Sequence, residues 1–158
     1  MSDPRSVPEE GPVHMSRTDP ARTSQDLVWL LSGLIDRVPD TRSALLLSSD
    51  GLRKAAHGLD DDGADHLAAV ASGLFSLARS AGTRFGGSDG VRQVVAELDD
   101  ALLFVSAAGS GAVLAVIAGK AADPGVLGYE MAQMVKSVRP YLSTPARHEP
   151  EVLGVRGR

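Results

Sequence analysis

No cysteine occurs in the 158 residues, which removes disulfide frameworks, thiolate metal sites and a cysteine nucleophile. A basic face is missing too. Sixteen Lys and Arg against 20 Asp and Glu give a net charge of −4, with both signs scattered evenly, so DNA and RNA are not expected partners. The longest apolar runs, AVLAVIA at Ala112–Ala118 and ALLL at Ala44–Leu47, fall far short of the roughly 20 residues a membrane span needs. The first residues carry no signal-peptide core. These absences predict a cytoplasmic chain with no direct membrane insertion.

Catalytic and ligand-binding signatures are equally scarce. A GxSxG elbow is absent, and neither His57 nor His66 sits in a recognisable motif, so solvent exposure is the expected fate of both. Gly119-Lys120 invites a phosphate-loop reading, but that pattern needs glycine where Leu114 stands and Ser or Thr where Ala121 stands. GTRFGG at Gly82–Gly87 could cradle a phosphate with backbone N–H groups; with no strand before it and no helix after it, a flexible helix-to-strand link is the better expectation. The acidic run Asp60–Asp62 lacks the glycine-centred calcium loop that ends in a bidentate Glu. No catalytic, cofactor-binding or metal-binding residue is assigned.

What is present organises the chain into one domain between two tails. Residues 1–23 hold four prolines and no apolar periodicity and are expected to be disordered. The same holds for residues 145–158, PARHEPEVLGVRGR, which leaves a domain over 24–144. Within it, SQDLVWLLSGLIDRVP predicts a helix capped by Ser24 and stopped by Pro39. RSALLLSSDGLRKAAHG predicts two strands joined at Asp50-Gly51, a strong hairpin signal. Asp60–Asp62 then supply a cap and negative charge for a second helix. After a glycine-rich break at Gly86–Gly90, VRQVVAELDD, ALLFVSAAGSG and AVLAVIAG read as a three-stranded meander. The last two are apolar on both faces, as in a sheet covered by helices on each side. A closing helix, DPGVLGYEMAQMVKSVRPYL, places Val126, Tyr129, Met134, Val138 and Leu142 near one side.

The second helix carries two unlike stripes. Leu67, Val70, Ala71, Leu74, Leu77 and Ala78 form the apolar face expected to cover the sheet. The other side, Ala69, Ser72, Gly73, Ser76 and Ser80, is unusually small. An exposed mid-helix glycine costs ~1 kcal/mol against alanine, and close approach of another helix would offset that cost. The following strand, VRQVVAEL, has no Pro or Lys to guard an exposed edge.

The resulting αββαβββα string resembles the roadblock family of small GTPase regulators and scaffolds. The resemblance covers about 24–142 and rests on LVWLLSGLIDRVPDTRSALLLSSDGL, ADHLAAVASGLFSLARSAG and VRQVVAELDDALLFVSAAGSGAVLAVIAG before a closing helix. More narrowly it is similar to the roadblock member of actinobacterial conservons, gene sets that also encode a histidine-kinase-like protein and a Ras-like GTPase. It implies a roadblock/profilin-like α+β fold with a five-stranded antiparallel sheet and helices on both faces. Pairing of two subunits is implied through the second helix and the edge strand, with Ala69, Ser72, Gly73, Ser76, Ser80, Val91, Gln93 and Val95 at the interface. The implied function is a non-enzymatic homodimeric adaptor of a Ras-like small GTPase in signal transduction, linked in turn to a histidine-kinase-like sensor. Arg79 or Arg84 would be the GTPase contact if an arginine acts in trans. A small-ligand sensor domain or a purely structural scaffold are the alternatives.

Overall fold

Asp19 begins the first helix, α1 (Pro20–Arg37), by accepting a hydrogen bond from the backbone N–H of Ala21 at 3.1 Å. Proline at the first helical position suits this start, because its fixed φ fits the helix and its missing N–H would have gone unbonded. The helix therefore begins four residues before the Ser24 cap expected from sequence, and the boundary drawn at residue 24 falls inside it. The computed structural model describes residues 19–142. The two expected disordered tails lie largely outside that range.

After α1 come β1 (Thr41–Ser48), β2 (Arg53–His57), α2 (Asp61–Ala81), β3 (Gln93–Glu97), β4 (Ala101–Ala107), β5 (Ala112–Gly119) and α3 (Pro124–Leu142). The strands form one sheet in the order β2-β1-β5-β4-β3, every neighbouring pair antiparallel. Asp50-Gly51 turns β1 into β2, with Gly51 at φ 90°, a conformation that glycine adopts without steric cost.

Strand periodicity divides the core in two. On one face Ala44, Leu46, Phe104, Leu114, Val116 and Ala118 meet Leu27, Leu31 and Leu34 of α1 and Leu127, Met131, Met134 and Val138 of α3. On the other, Leu45, Leu47, Leu103, Val105, Val113 and Ala115 meet Ala64, Leu67, Ala68 and Ala71 of α2. Each fully buried leucine contributes roughly 1.5–3 kcal/mol, so strands apolar on both faces are the main source of stability. An ion pair between Arg37 and Glu130, at 2.8 Å, ties α1 to α3.

The buried face of α3 differs from the expected one. Leu127, Met131 and Val135 join Met134 and Val138 in it, whereas Val126 and Tyr129 are exposed. The first half of the expected stripe was misplaced and its second half, Met134 and Val138, was not; Leu127, Met131, Met134, Val135 and Val138 fit the i, i+4, i+7, i+8, i+11 pattern of a single face. Among the described residues no helix is long and apolar enough to cross a membrane.

Candidate interaction surface

Helix α2 starts on Asp60, whose Oδ1 accepts from the Gly63 N–H at 2.8 Å. Asp61 and Asp62 follow in the first turn, where negative charge complements the helix dipole. At its β2 end the helix is fastened from outside: Arg53 pairs with Asp61 at 2.8 Å and Asp65 at 3.1 Å. The hydrogen bond from Arg53 to Asp61, with the charge of Asp65 behind it, pushes the Arg53 guanidinium above its already high pKa, so this clamp keeps its cation at any working pH.

The buried stripe of α2 is Ala64, Leu67, Ala68 and Ala71, continued by half-buried Leu74 and Phe75. At roughly 100° per residue, the opposite face is centred on Gly73 and takes in His66, Ala69, Val70, Ser76, Leu77 and Ser80, all exposed. A Cβ placed on Gly73 would meet nothing within 4 Å. Val70 and Leu77, expected to cover the sheet, instead flank Gly73 at 38% and 70% exposure. They stand three residues before and four after it, and that spacing was the available sign that they share its face. The small stripe thus runs alongside an apolar ridge made by Val70 and Leu77, which are seven residues apart on the same side of the helix.

Ser72, assigned to the same stripe, is turned aside. Its hydroxyl donates to the Ser49 carbonyl at 3.1 Å and so fastens α2 to the β1–β2 turn. Ala69, Gly73, Ser76 and Ser80 share the open face; Ser72 lies at its margin, half-buried.

Beyond Ala81 the chain does not loosen into the flexible link expected of GTRFGG. Gly82–Gly86 form a π-helical turn, closed by the Gly82 N–H onto the Ala78 and Arg79 carbonyls and by Thr83 Oγ1 donating to Arg79 O at 3.1 Å. A side chain at Gly82 would come within 2.9 Å of the Ser88 carbonyl, so glycine permits the returning loop to close on the helix end. The turn presents Phe85 at 87% exposure. Of the two candidate arginines, Arg79 is held by Asp89 at 3.3 Å, while Arg84 stands on the exposed turn.

Strand β3 is the outer strand at this end of the sheet. Val94 and Ala96 point toward α2 and pack with its cluster. Gln93, Val95 and Glu97 point the other way, with Val95 51% exposed. Val91 precedes the strand and is half-buried. Glu97 reaches Lys120 at 3.6 Å, leaving Arg92 and Gln93 as the polar residues at the start of this edge. His57 ends β2 and His66 lies on the open face of α2. Among the described residues no group of three His, Asp or Glu side chains could hold a metal ion.

The Roadblock/LC7 domain profile matches residues 27–118, from the buried face of α1 to the end of β5. The chain belongs to the Roadblock/LC7 domain family. A crystal structure of a Roadblock/LC7 domain from Streptomyces avermitilis is 69% identical, with a TM-score of 0.72 over 74% of this chain and 98% of that one. A second Roadblock/LC7 domain from the same organism is 39% identical, with a TM-score of 0.58 over 70% and 96%. The gliding protein MglB from Thermus thermophilus, at 19% identity and a TM-score of 0.67 over 76% and 90%, shares the fold. No curated protein sequence matches. The three-helix, five-strand roadblock architecture expected from sequence is thereby established, and the elements of the expected interface fall on α2 and β3 of it.

Proposed function

We propose that this roadblock domain is a non-enzymatic homodimeric adaptor of a Ras-like small GTPase in the cytoplasm, acting without a cofactor and coupling that GTPase to a histidine-kinase-like sensor. The observation that carries the reading is the open α2 face, small at Gly73 and apolar at Val70 and Leu77, beside an outer strand with no Pro or Lys along it. Large exposed apolar side chains grouped on one helix face mark an interaction site. Two-fold pairing of β3 would also close the sheet edge in an isologous dimer. Family membership favours a small GTPase as the partner.

Stimulation of the GTPase would come from positioning of its own residues. Arg79 pairs with Asp89 at 3.3 Å in an exposed ion pair that a partner could displace, and Arg84 stands on the exposed turn, so both are arginines able to act in trans. The test is single-turnover GTP hydrolysis by a Ras-like GTPase from the same organism, with wild-type protein, Arg79→Ala and Arg84→Ala. Co-elution with the GTPase and a change of less than about tenfold for either variant support the reading. A loss of about 10³-fold or more with either variant would assign an arginine finger instead. No complex with the GTPase in either nucleotide state would refute the adaptor role.

A further inference from the structure

On the opposite side of the sheet from α2, a groove of about 420 Å³ runs between α3 and the β3–β4 end of the sheet. Its volume lies within the roughly 300–1,000 Å³ of small-molecule sites. In a chain of net charge −4, the groove wall holds Arg92, Lys136 and Arg139 and no acidic residue. Arg139 lies along the β4–β5 turn, its Nε 3.7 Å from where a Cβ on Gly109 would stand. Met131 and Val135 give the groove an apolar side. Ser106 lines it from β4, on the sheet face that also carries Phe104, and is 8% exposed with no hydrogen-bond partner for its Oγ.

A buried hydroxyl without a partner forfeits about 1–3 kcal/mol, and rotation about χ1 is the motion open to it. The roadblock interface on α2 gives it no use. We infer that the groove binds a small aliphatic carboxylate. The carboxylate sits between Arg92 and Lys136 and accepts from Ser106 Oγ–H, and the aliphatic body lies on Met131 and Val135. Charge complementarity selects an anion, and the apolar side selects against a bare inorganic one. The inference concerns a surface apart from the α2 face, although Val91 and Gln93 of the groove also belong to the β3 edge proposed to pair in the dimer.

The full-length protein is titrated with hexanoate, 1-hexanol and inorganic phosphate while amide chemical shifts are followed by NMR. Hexanoate should shift the amides of Arg92, Ser106, Ala107 and Gly128 saturably, with a Kd of about 1 mM, and bind at least about tenfold more tightly than hexanol or phosphate. Lys136→Gln combined with Arg92→Gln should weaken it about tenfold or more. A Cβ at Gly128 meets nothing within 4 Å, so Gly128→Met fills the groove without a clash and should abolish binding while the circular dichroism spectrum is retained. Ser106→Ala should weaken hexanoate without destabilising the fold, since no existing hydrogen bond is lost. No saturable shift by about 10 mM hexanoate, equal affinity for hexanol, or undiminished binding to Gly128→Met would each overturn the assignment. Phosphate binding more tightly than hexanoate would overturn the aliphatic class.

Discussion

The two outer strands of the sheet are finished in opposite ways. At β2 the edge carries Arg53 and Lys54, α1 packs along it, and Arg53 is clamped to Asp61 and Asp65 of α2. At β3 the outward residues are Gln93, Val95 and Glu97, the valine half exposed, and the neighbouring end of α2 leads into a turn that displays Phe85. An edge strand is a template for pairing unless something blunts it. Here one edge is covered by α1 and clamped to α2, while the other is left open with a valine between Gln93 and Glu97. The same polarity runs along α2: its first turns are tied down by ion pairs, and its second half, from Val70 to Leu77, offers apolar side chains around a bare backbone at Gly73.

The largest expected effect breaks that comparison at the open end. Gly73→Arg places a long cation where a partner helix is proposed to approach, burying a charge without a partner. The dimer dissociation constant should rise about 100-fold, or ~2.7 kcal/mol. Nothing in the subunit lies within 4 Å of the new Cβ, and arginine is the better helix former, so circular dichroism should be unchanged. Lys54→Glu, a charge change at the closed edge, should leave the mass alone. Light scattering on both variants at matched concentration decides it, and an unaltered Gly73→Arg dimer would remove α2 from the interface.

How much of this contrast the sequence showed depends on the range of each signal. The hairpin at Asp50-Gly51, the cap at Asp60 and the strands β4 and β5 were legible because turn chemistry, capping and continuous apolar runs act locally. The start of α1 at Asp19 was missed because four prolines and a lack of apolar periodicity in the first 23 residues point to disorder, although Pro20 directly after Asp19 is a helix-start pattern. Val70 and Leu77 were misplaced because hydrophobicity alone assigns an apolar residue to the core; only the neighbouring Ala64, Ala68 and Ala71 show that the sheet is approached by alanines. Ser72 was the hardest, since its partner Ser49 lies 23 residues away. The carbonyl of a turn leaves no mark in a helix pattern.

A smaller effect tests the closed end. Asp60→Ala removes the oxygen that accepts from Gly63 N–H, which costs about 1 kcal/mol at a helix N-cap and should lower Tm by about 4 °C for a domain of this size. The dimer constant should not move, because this cap lies at the end of α2 tied to β2. A calorimetric scan beside light scattering separates the two readouts. Loss of the dimer at unchanged Tm would contradict the division of the helix into a fastened and an open half.

The smallest effect falls on Ser72, at the boundary between those halves. By sequence it belongs to the small stripe of the interface; by geometry its hydroxyl is already committed to Ser49 O at 3.1 Å, and its Cβ packs 3.5 Å from where a side chain on Gly51 would begin. Ser72→Ala therefore removes a hydrogen bond inside one subunit and takes nothing from the face around Gly73. The carbonyl of Ser49 keeps a partner only if water enters, so the expected cost is about 0.5–1.5 kcal/mol of subunit stability. Alanine's better helix propensity returns part of it. Thermal unfolding should shift down by a few degrees at most, amides of the β1–β2 turn should exchange faster, and the dimer constant should stay within about twofold, a difference of only ~0.4 kcal/mol. A dimer weakened tenfold with the turn amides unchanged would put Ser72 back among the interface residues and move the open face of α2 toward the hairpin.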